Sequence, residues 1–250
     1  MRFKFLTCEV FARQAYSIAA SAPAVIDIEL VDKGLHDTPD ILRQELQKRL
    51  DALPDDRYDA ILLGYGLCSN ATVGIRCDKA KMVIPRTHDC IAVCLGSRER
   101  YDHEFREHPG TFWYTPDYLE RGGSAGAITM GASDDDRKMT EVYAEYVDKY
   151  GRDNADYLME ALGAWRENYE RSVYIDTPEV NAPDYRPQVR ERAARRDWAF
   201  VEMAGSLVML RDLLLGNWDE ERFLVLAPGE TLAPTYAPNV MDIATAEIGE

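Results

Sequence analysis

Apolar residues along the first half of the chain follow two rhythms. Short, nearly unbroken runs read as strands: "FKFLTCEVF", "VIDIELVDKG", "YDAILLGYG", "KMVIPR" and "TFWYT". The third is too apolar to leave a solvated face, which is how a central parallel strand reads. Helical spacing fills the gaps between them. In "TPDILRQELQKRLDALP", Ile41, Leu42, Leu46, Leu50 and Leu53 form one stripe, Thr38 is placed to cap the start, Pro39 suits the first helical position, and Pro54 follows the end. "ARQAYSIAASA" reads as a shorter helix, residues 71 to 79 as a short helical stretch, and residues 91 to 107 as mostly helix ended by Pro109-Gly110. Strands alternating with helices predict an α/β fold built on one doubly wound, mainly parallel sheet with right-handed crossovers.

The middle breaks the rhythm. "GGSAGAITMGASDDD" is small and then acidic, so it reads as a loop, able to act as a lid or equally to serve as a disordered linker, with Ser133 capping the helix after it. Residues 134 to 170 carry aromatic and aliphatic positions at helical spacing, divided by Gly151. The alternation then returns with "RSVYID", a charged helix over 185 to 196, "WAFVEMA", the helix "GSLVMLRDLLLGNW" and a last strand in "RFLVLAPGE". The pattern predicts a single α/β domain over 1–250, with a helical insertion at 116–170.

The totals remove several function classes. A net charge of −15 disfavours nucleic acid and anionic membranes, which select positive surfaces. The cluster "RPQVRERAARR" reads as a solvated helix face. No run of about 18 apolar residues is present, so no spanning helix is expected. The N-terminal apolar run is short, is followed by Glu9 and lacks a small-residue cleavage site. A cytoplasmic protein is expected, and the pattern sets no oligomeric state.

The chain has 5 cysteines, and all lie at or before residue 94. An odd count in a reducing compartment argues against a disulfide framework. Cys8 closes the first strand, Cys68 follows the third, and His88 and Cys90 follow the fourth. In an open parallel sheet those loops share the carboxyl edge, where ligands bind. Gly64 and Gly66 fit a sharp turn or a close approach there. Thr87 or Asp89 is placed to cap a helix carrying Cys90 and Cys94, and a thiol at a helix N-terminus ionises more readily. Cys77 and Cys94 are expected to pack or support.

Three chemistries stay open on these residues. Cys8, Cys68 and Cys90 could bind a metal with His88: three thiolates and an imidazole suit Zn²⁺, and three thiolates with an open position suit a [4Fe–4S] cluster. One cysteine could be a nucleophile with His88 as base, although His88 and Cys90 are spaced to point apart. Or the cysteines could be small buried residues in tight turns, since their spacing is no paired CxxC signature. Arg98 and Arg100 in "GSRERY" are candidates for holding an anionic group of a substrate. The "GYG" is not a dinucleotide fingerprint, because the third glycine and the later acidic residue are missing. His36, His103 and His108 sit in polar contexts and are expected to be exposed.

"LLGYGLCSN", "VIPRTHDCIAVCLGSRERY" and "HPGTFWYTP" together resemble domain-of-unknown-function family 1638, found mostly in anaerobic bacteria and archaea, and "LVMLRDLLLGNWDEERFLVLAPGE" is similar to its C-terminal pattern. The resemblance extends over nearly the whole chain and places Cys8, Cys68, His88 and Cys90 at motif positions. Ser69, Asn70 and Cys94 are not carried over. Because members often occur near corrinoid-dependent methyl-transfer systems, it implies a metal- or iron–sulfur-dependent enzyme or accessory protein in methyl transfer or one-carbon metabolism. Zinc or a [4Fe–4S] cluster would be the cofactor, with His88 as a fourth ligand or an acid/base. The partner would be a small-molecule substrate or a corrinoid/methyltransferase protein. The other expectation is a non-catalytic metal or cofactor chaperone for such a system.

Overall fold

The computed structural model describes residues 1–121, 169–235 and 237–244, with Ala144, Val147, Asp148, Gly151 and Arg152 between them. The expected lid, the Ser133 cap and most of the expected insertion at 116–170 lie outside the described residues. The architecture is that of the described residues alone.

The strand runs form as expected. β1 is Arg2–Cys8, β2 Val25–Val31, β3 Ala60–Gly64 and β4 Lys81–Pro85. They lie parallel in the order β2-β1-β3-β4, and β8 (Phe223–Leu226) adds antiparallel beside β4. Every residue of β3 is buried, as its continuous apolar run demands. β2 is an edge strand, and its outward Asp27 and Glu29 carry ion pairs to Arg2, Lys4 and Arg49. Charge along an exposed edge blocks pairing with another chain.

The prediction of one sheet needs correction. β5 (Thr111–Tyr114), β6 (Arg171–Asp176) and β7 (Ala199–Ala204) form a second, wholly parallel sheet. The cause is visible at β4. Its outer side pairs with β8, from Met82 opposite Leu226 to Pro85 opposite Phe223, so no place remains there for β5. A hairpin of β9 (Leu232–Pro234) and β10 (Met241–Ile243), which the apolar pattern does not announce, finishes the described chain.

The helices are α1 (Ala12–Ala19), α2 (Pro39–Asp51), α3 (Cys90–Leu95), α4 (Arg98–Glu107), α5 (Pro116–Glu120), α6 (Arg186–Arg195) and α7 (Val208–Leu215). α2 buries Leu42, Leu46 and Leu50 against the first sheet, each contributing roughly 1.5–3 kcal/mol of transfer free energy. Ile41, counted in the predicted stripe, is 50% exposed instead. Thr38 stands at the N-cap position but makes no side-chain cap bond. Residues 71 to 79 form turns rather than a helix.

α3 joins the two sheets. Its Val93 packs into the core of the first sheet, while Ala92 and Leu95 pack with Val173 and Ile175 of β6 and Tyr101 of α4. The Cys94 carbonyl accepts a bond from the Ser206 N–H, 2.9 Å away, just after β7. The carboxyl ends of both sheets therefore turn toward one seam.

A thiol cluster at the carboxyl edge as candidate functional site

Two glycines draw the loops of this edge together. Gly64 ends β3 opposite Thr7 of β1, and a Cβ there would stand 2.0 Å from Thr7 Oγ1 and 2.7 Å from the Phe5 ring. A Cβ on Gly66 would stand 2.5 Å from the Thr87 carbonyl oxygen and 2.9 Å from the Asp89 nitrogen. No side chain fits at either position. Because Gly66 has none, the loop after β3 lies directly on the loop after β4: Leu67 N–H donates to the Thr87 carbonyl and Cys68 N–H to the His88 carbonyl, both at 2.9 Å.

Beyond that contact the backbone is strained. Cys68, Ser69 and Asn70 all have positive φ, at 47°, 56° and 64°. A left-handed turn of three non-glycine residues costs roughly 1–2 kcal/mol per residue. Asn tolerates that conformation; Cys and Ser have no such preference. The surrounding bonds hold the turn, and Cys68 is buried at its start.

Asp89 shapes the other arm. Its carboxylate accepts from Ile91 N–H at 2.9 Å, making it the N-cap of α3, of which Cys90 is the first residue. Its other oxygen accepts from Tyr101 Oη at 2.5 Å, which ties α3 to α4. Burial pushes the Asp89 carboxyl above its usual range despite these donors.

The thiols lie close enough to feel one another. Burial pushes Cys8 up to about 12. Burial also raises Cys68, with the Asp89 and Cys8 charges adding to the effect, while the Gly66 and Cys90 amides oppose it. Cys90 is raised well above the thiol range by burial and then by Cys68, Cys94 and Cys8. Cys94 is raised by burial, Asp89, Asp117 and Cys8. The thiols are therefore neutral at pH 7. The capping position of Cys90 does not make it a ready thiolate, contrary to the sequence expectation, because desolvation outweighs the helix terminus.

Two polar side chains that the spacing argument does not single out join the cluster. Tyr65, between the two glycines, is 1% exposed and is pushed up by burial and by the Cys8, Cys68 and Cys90 charges. Its Oη finds no hydrogen-bond partner among the described residues. His36, in place of the expected exposure, is half-buried, with Nδ1 4.0 Å from Cys8 Sγ and its ring stacked on Tyr65 at 5.8 Å between centroids. Burial lowers its pKa, and its Nε2 is buried without a partner among the described residues. One signal for His36 is present in the sequence: it follows β2, the neighbour of β1, so its loop belongs to the same edge.

The remaining predicted site residues separate. The His88 carbonyl serves Cys68, while the His88 side chain is exposed. Arg98 pairs with Glu99 at 3.2 Å and keeps its Nη1 buried with no partner among the described residues. Arg100 donates to the Ala204 carbonyl at 2.7 Å. Cys77 is buried elsewhere, its carbonyl holding the Gly229 N–H. Among the described residues no three His, Cys, Asp or Glu side chains are spaced as ligands of one metal ion. The edge thus carries buried thiols of raised pKa, with soft-donor chemistry, and an imidazole nitrogen unpartnered among the described residues. It is not a finished coordination sphere.

A family model described as "Protein of unknown function (DUF1638)" matches residues 30–214, from late β2 into α7. The chain belongs to this family. The match includes His36, Tyr65, Cys68, His88, Cys90 and Cys94, and Cys8 lies outside it. No curated protein and no solved structure shows significant similarity to the chain. No helix among the described residues is long and apolar enough to cross a membrane.

Proposed function

We propose that this DUF1638 protein is a thiolate metalloprotein, in which Cys8, Cys68 and Cys90 hold zinc or a [4Fe–4S] cluster. One observation carries the reading: three adjacent parallel strands, β1, β3 and β4, each deliver one cysteine to the same edge, where the thiols raise one another's pKa. Three such thiols ionise together only with a cation among them, and metal binding would then release their protons. The left-handed turn at Cys68 supports the reading, since strain of this kind concentrates at functional sites. Loading would have to draw the sulfurs into ligand spacing.

A bound zinc or cluster would supply Lewis acidity or an open iron position for activating a thiol or polarising a substrate. His88, exposed on the rim, is the candidate acid/base. Of the two arginines, Arg98 has the free donor for an anionic substrate group, and Arg100 is committed to a backbone carbonyl. The same reading takes the larger sheet as doubly wound and the protein as cytoplasmic. It assigns the protein to corrinoid-linked methyl transfer or one-carbon metabolism, as an enzyme or an accessory protein. A metal chaperone for a methyltransferase system is the alternative. It would show metal release to an acceptor protein and no turnover.

The test is anaerobic purification with elemental analysis and a visible spectrum, on wild type, Cys68→Ala and Cys90→Ala. Iron with brown colour, lost in both variants, selects the cluster. Stoichiometric zinc, lost in both, selects zinc. A metal-free anaerobic wild type that also takes up none on titration would return the cysteines to packing.

A further inference from the structure

We propose that a cavity at the carboxyl edge of the second sheet binds a compact primary ammonium group, with the Asp117 carboxylate as its counter-ion. None of the cysteines lines this cavity, and the inference does not depend on the metal reading. The ends of two neighbouring parallel strands form it. Asp117 follows β5, Asp176 closes β6 and Thr177 comes next, while Gln14 of α1 reaches in from the side of the first sheet. Crevices outside the carboxyl ends of parallel strands are where open α/β sheets take ligands.

Size and charge select the ligand. A cavity of ≈ 50 Å³ has room for roughly three to five water-sized atoms, at about 10–15 Å³ each. Around it the ion pairs join six carboxyl groups, those of Glu9, Asp117, Glu120, Asp176, Asp184 and Glu202, to three guanidinium groups, those of Arg13, Arg121 and Arg186, counting Arg13 with the carboxylate that it holds. Carboxylates therefore outnumber cations there. Arg186 lines the cavity, but its Nε, Nη1 and Nη2 hold Glu202, Asp184 and Asp176 at 2.8, 3.1 and 2.6 Å, which commits it against an incoming anion. Asp117 is fully buried and accepts from the Arg13 backbone N–H at 3.3 Å. The Gln14 amide, with its nitrogen turned to the carboxylate, donates at 3.0 Å. Arg121, 3.9 Å away, also serves Glu9. Neutral donors and a shared cation hold a buried carboxylate weakly, and a further positive charge beside it stabilises the ionised form. A protonated amine brings that charge, with several N–H donors, in a volume the cavity holds. Among the described residues the carboxyl groups are not spaced as ligands of a metal ion, so the cation is an organic one.

The experiment is a methylammonium titration of the full chain, followed by ¹H–¹⁵N amide spectra at about pH 5 and about pH 7. The probe carries its charge at both. Burial and the Glu120 charge push the Asp117 carboxyl up to about 6, so about a tenth of it is ionised at the lower pH and about nine-tenths at the upper. Binding to the ionised form alone raises the apparent affinity about tenfold across that interval. Asp117→Asn removes the charge and keeps the shape, and Ala182→Leu fills the cavity without changing charge. Each should weaken binding at the upper pH by about tenfold or more, with the amide spectrum otherwise intact. Methanol, neutral and of the same size, should shift no amide around the cavity. Butylammonium separates two sources of the ligand. Binding like that of methylammonium marks the end group of a longer amine, and weaker binding marks a free small one. Affinity that is flat across the pH interval, or unchanged in Asp117→Asn, overturns the proposal. So does equal binding of methanol, and so does a wild type in which no amide around the cavity responds to methylammonium.

Discussion

At the scale of single residues, the site depends on atoms that are absent as much as on the thiols. Gly64 is the sharpest case, because a methyl there would overlap Thr7 Oγ1 at 2.0 Å, Thr7 Cβ at 2.6 Å and Phe5 at 2.7 Å. All three atoms belong to side chains of β1, the strand that ends in Cys8. Gly64→Ala is expected to cost about 3 kcal/mol or more by urea unfolding, at the upper end of overpacking penalties. Gly74→Ala is the control: its φ is +83°, nothing lies within 4 Å of an added Cβ, and only the conformational cost of about 1–2 kcal/mol remains. Adding Thr7→Gly should restore part of the Gly64→Ala loss. A cost at Gly64 no larger than that at Gly74 would show that β1 yields to the added methyl and that the close approach does not explain Gly64. The two glycines were legible in "GYG" as a close approach. The left-handed turn after them was not, because Cys and Ser carry no local preference for it and it exists only through tertiary bonds to Thr87 and His88.

At the scale of elements, α3 is too short to be stable alone and is held by its N-cap Asp89 and its neighbours. Asp89 contributes two interactions at once, the cap on Ile91 and the bond from Tyr101. Asp89→Ala loses a cap, about 1 kcal/mol, and leaves a phenol that is 8% exposed without its acceptor, about 1–3 kcal/mol. A total loss of roughly 2–4 kcal/mol is expected, against about 1–2 kcal/mol for Tyr101→Phe, which removes the donor and leaves one Asp89 oxygen without it. In a double-mutant cycle the Asp89–Tyr101 coupling should exceed about 0.5 kcal/mol, and additive losses would show that the two groups act independently. The capping role of Asp89 was readable from "THDCIAVC". Its partner Tyr101 was not, since only the packing of α3 on α4 brings them together. The same limit hid the second sheet. Each strand was visible in its apolar run, but which strand lies beside β4 was settled by β8, 138 residues beyond Pro85 at its Phe223 partner (223 − 85).

At the scale of the whole molecule, the seam between the two sheets carries a charge where a core would normally be apolar. Asp117, at the start of α5, is fully buried. It accepts from the Arg13 backbone N–H at 3.3 Å, and Arg121 lies 3.9 Å away. Around it Arg13 is also engaged by Glu120 at 2.6 Å and Arg121 by Glu9 at 3.4 Å, so Asp117 shares both cations with other carboxylates. A cavity of ≈ 50 Å³, lined by Gln14, Tyr174 and Asp176 among others, opens beside it. Burial, with the Glu120 charge adding to it, pushes the Asp117 carboxyl from 3.8 up to about 6. A carboxyl with a raised folded-state pKa binds its proton more tightly in the native protein than in the unfolded chain. Its contribution is therefore complete below 3.8 and is lost as pH rises through about 6. At neutral pH the ionised side chain weakens the seam by an amount on the order of 2 kcal/mol. Asp117→Asn keeps the size and the acceptor for Arg13 but cannot ionise. Measured by urea unfolding, the stability of Asp117→Asn minus that of wild type should grow by about 2 kcal/mol between about pH 4 and pH 7, with most of the change between about pH 4 and 6. Other carboxylates, which give both proteins their acid sensitivity, cancel in that difference. A flat difference across this window would mean that Asp117 titrates normally, and that the contact between the sheets carries no proton-dependent weakness at neutral pH.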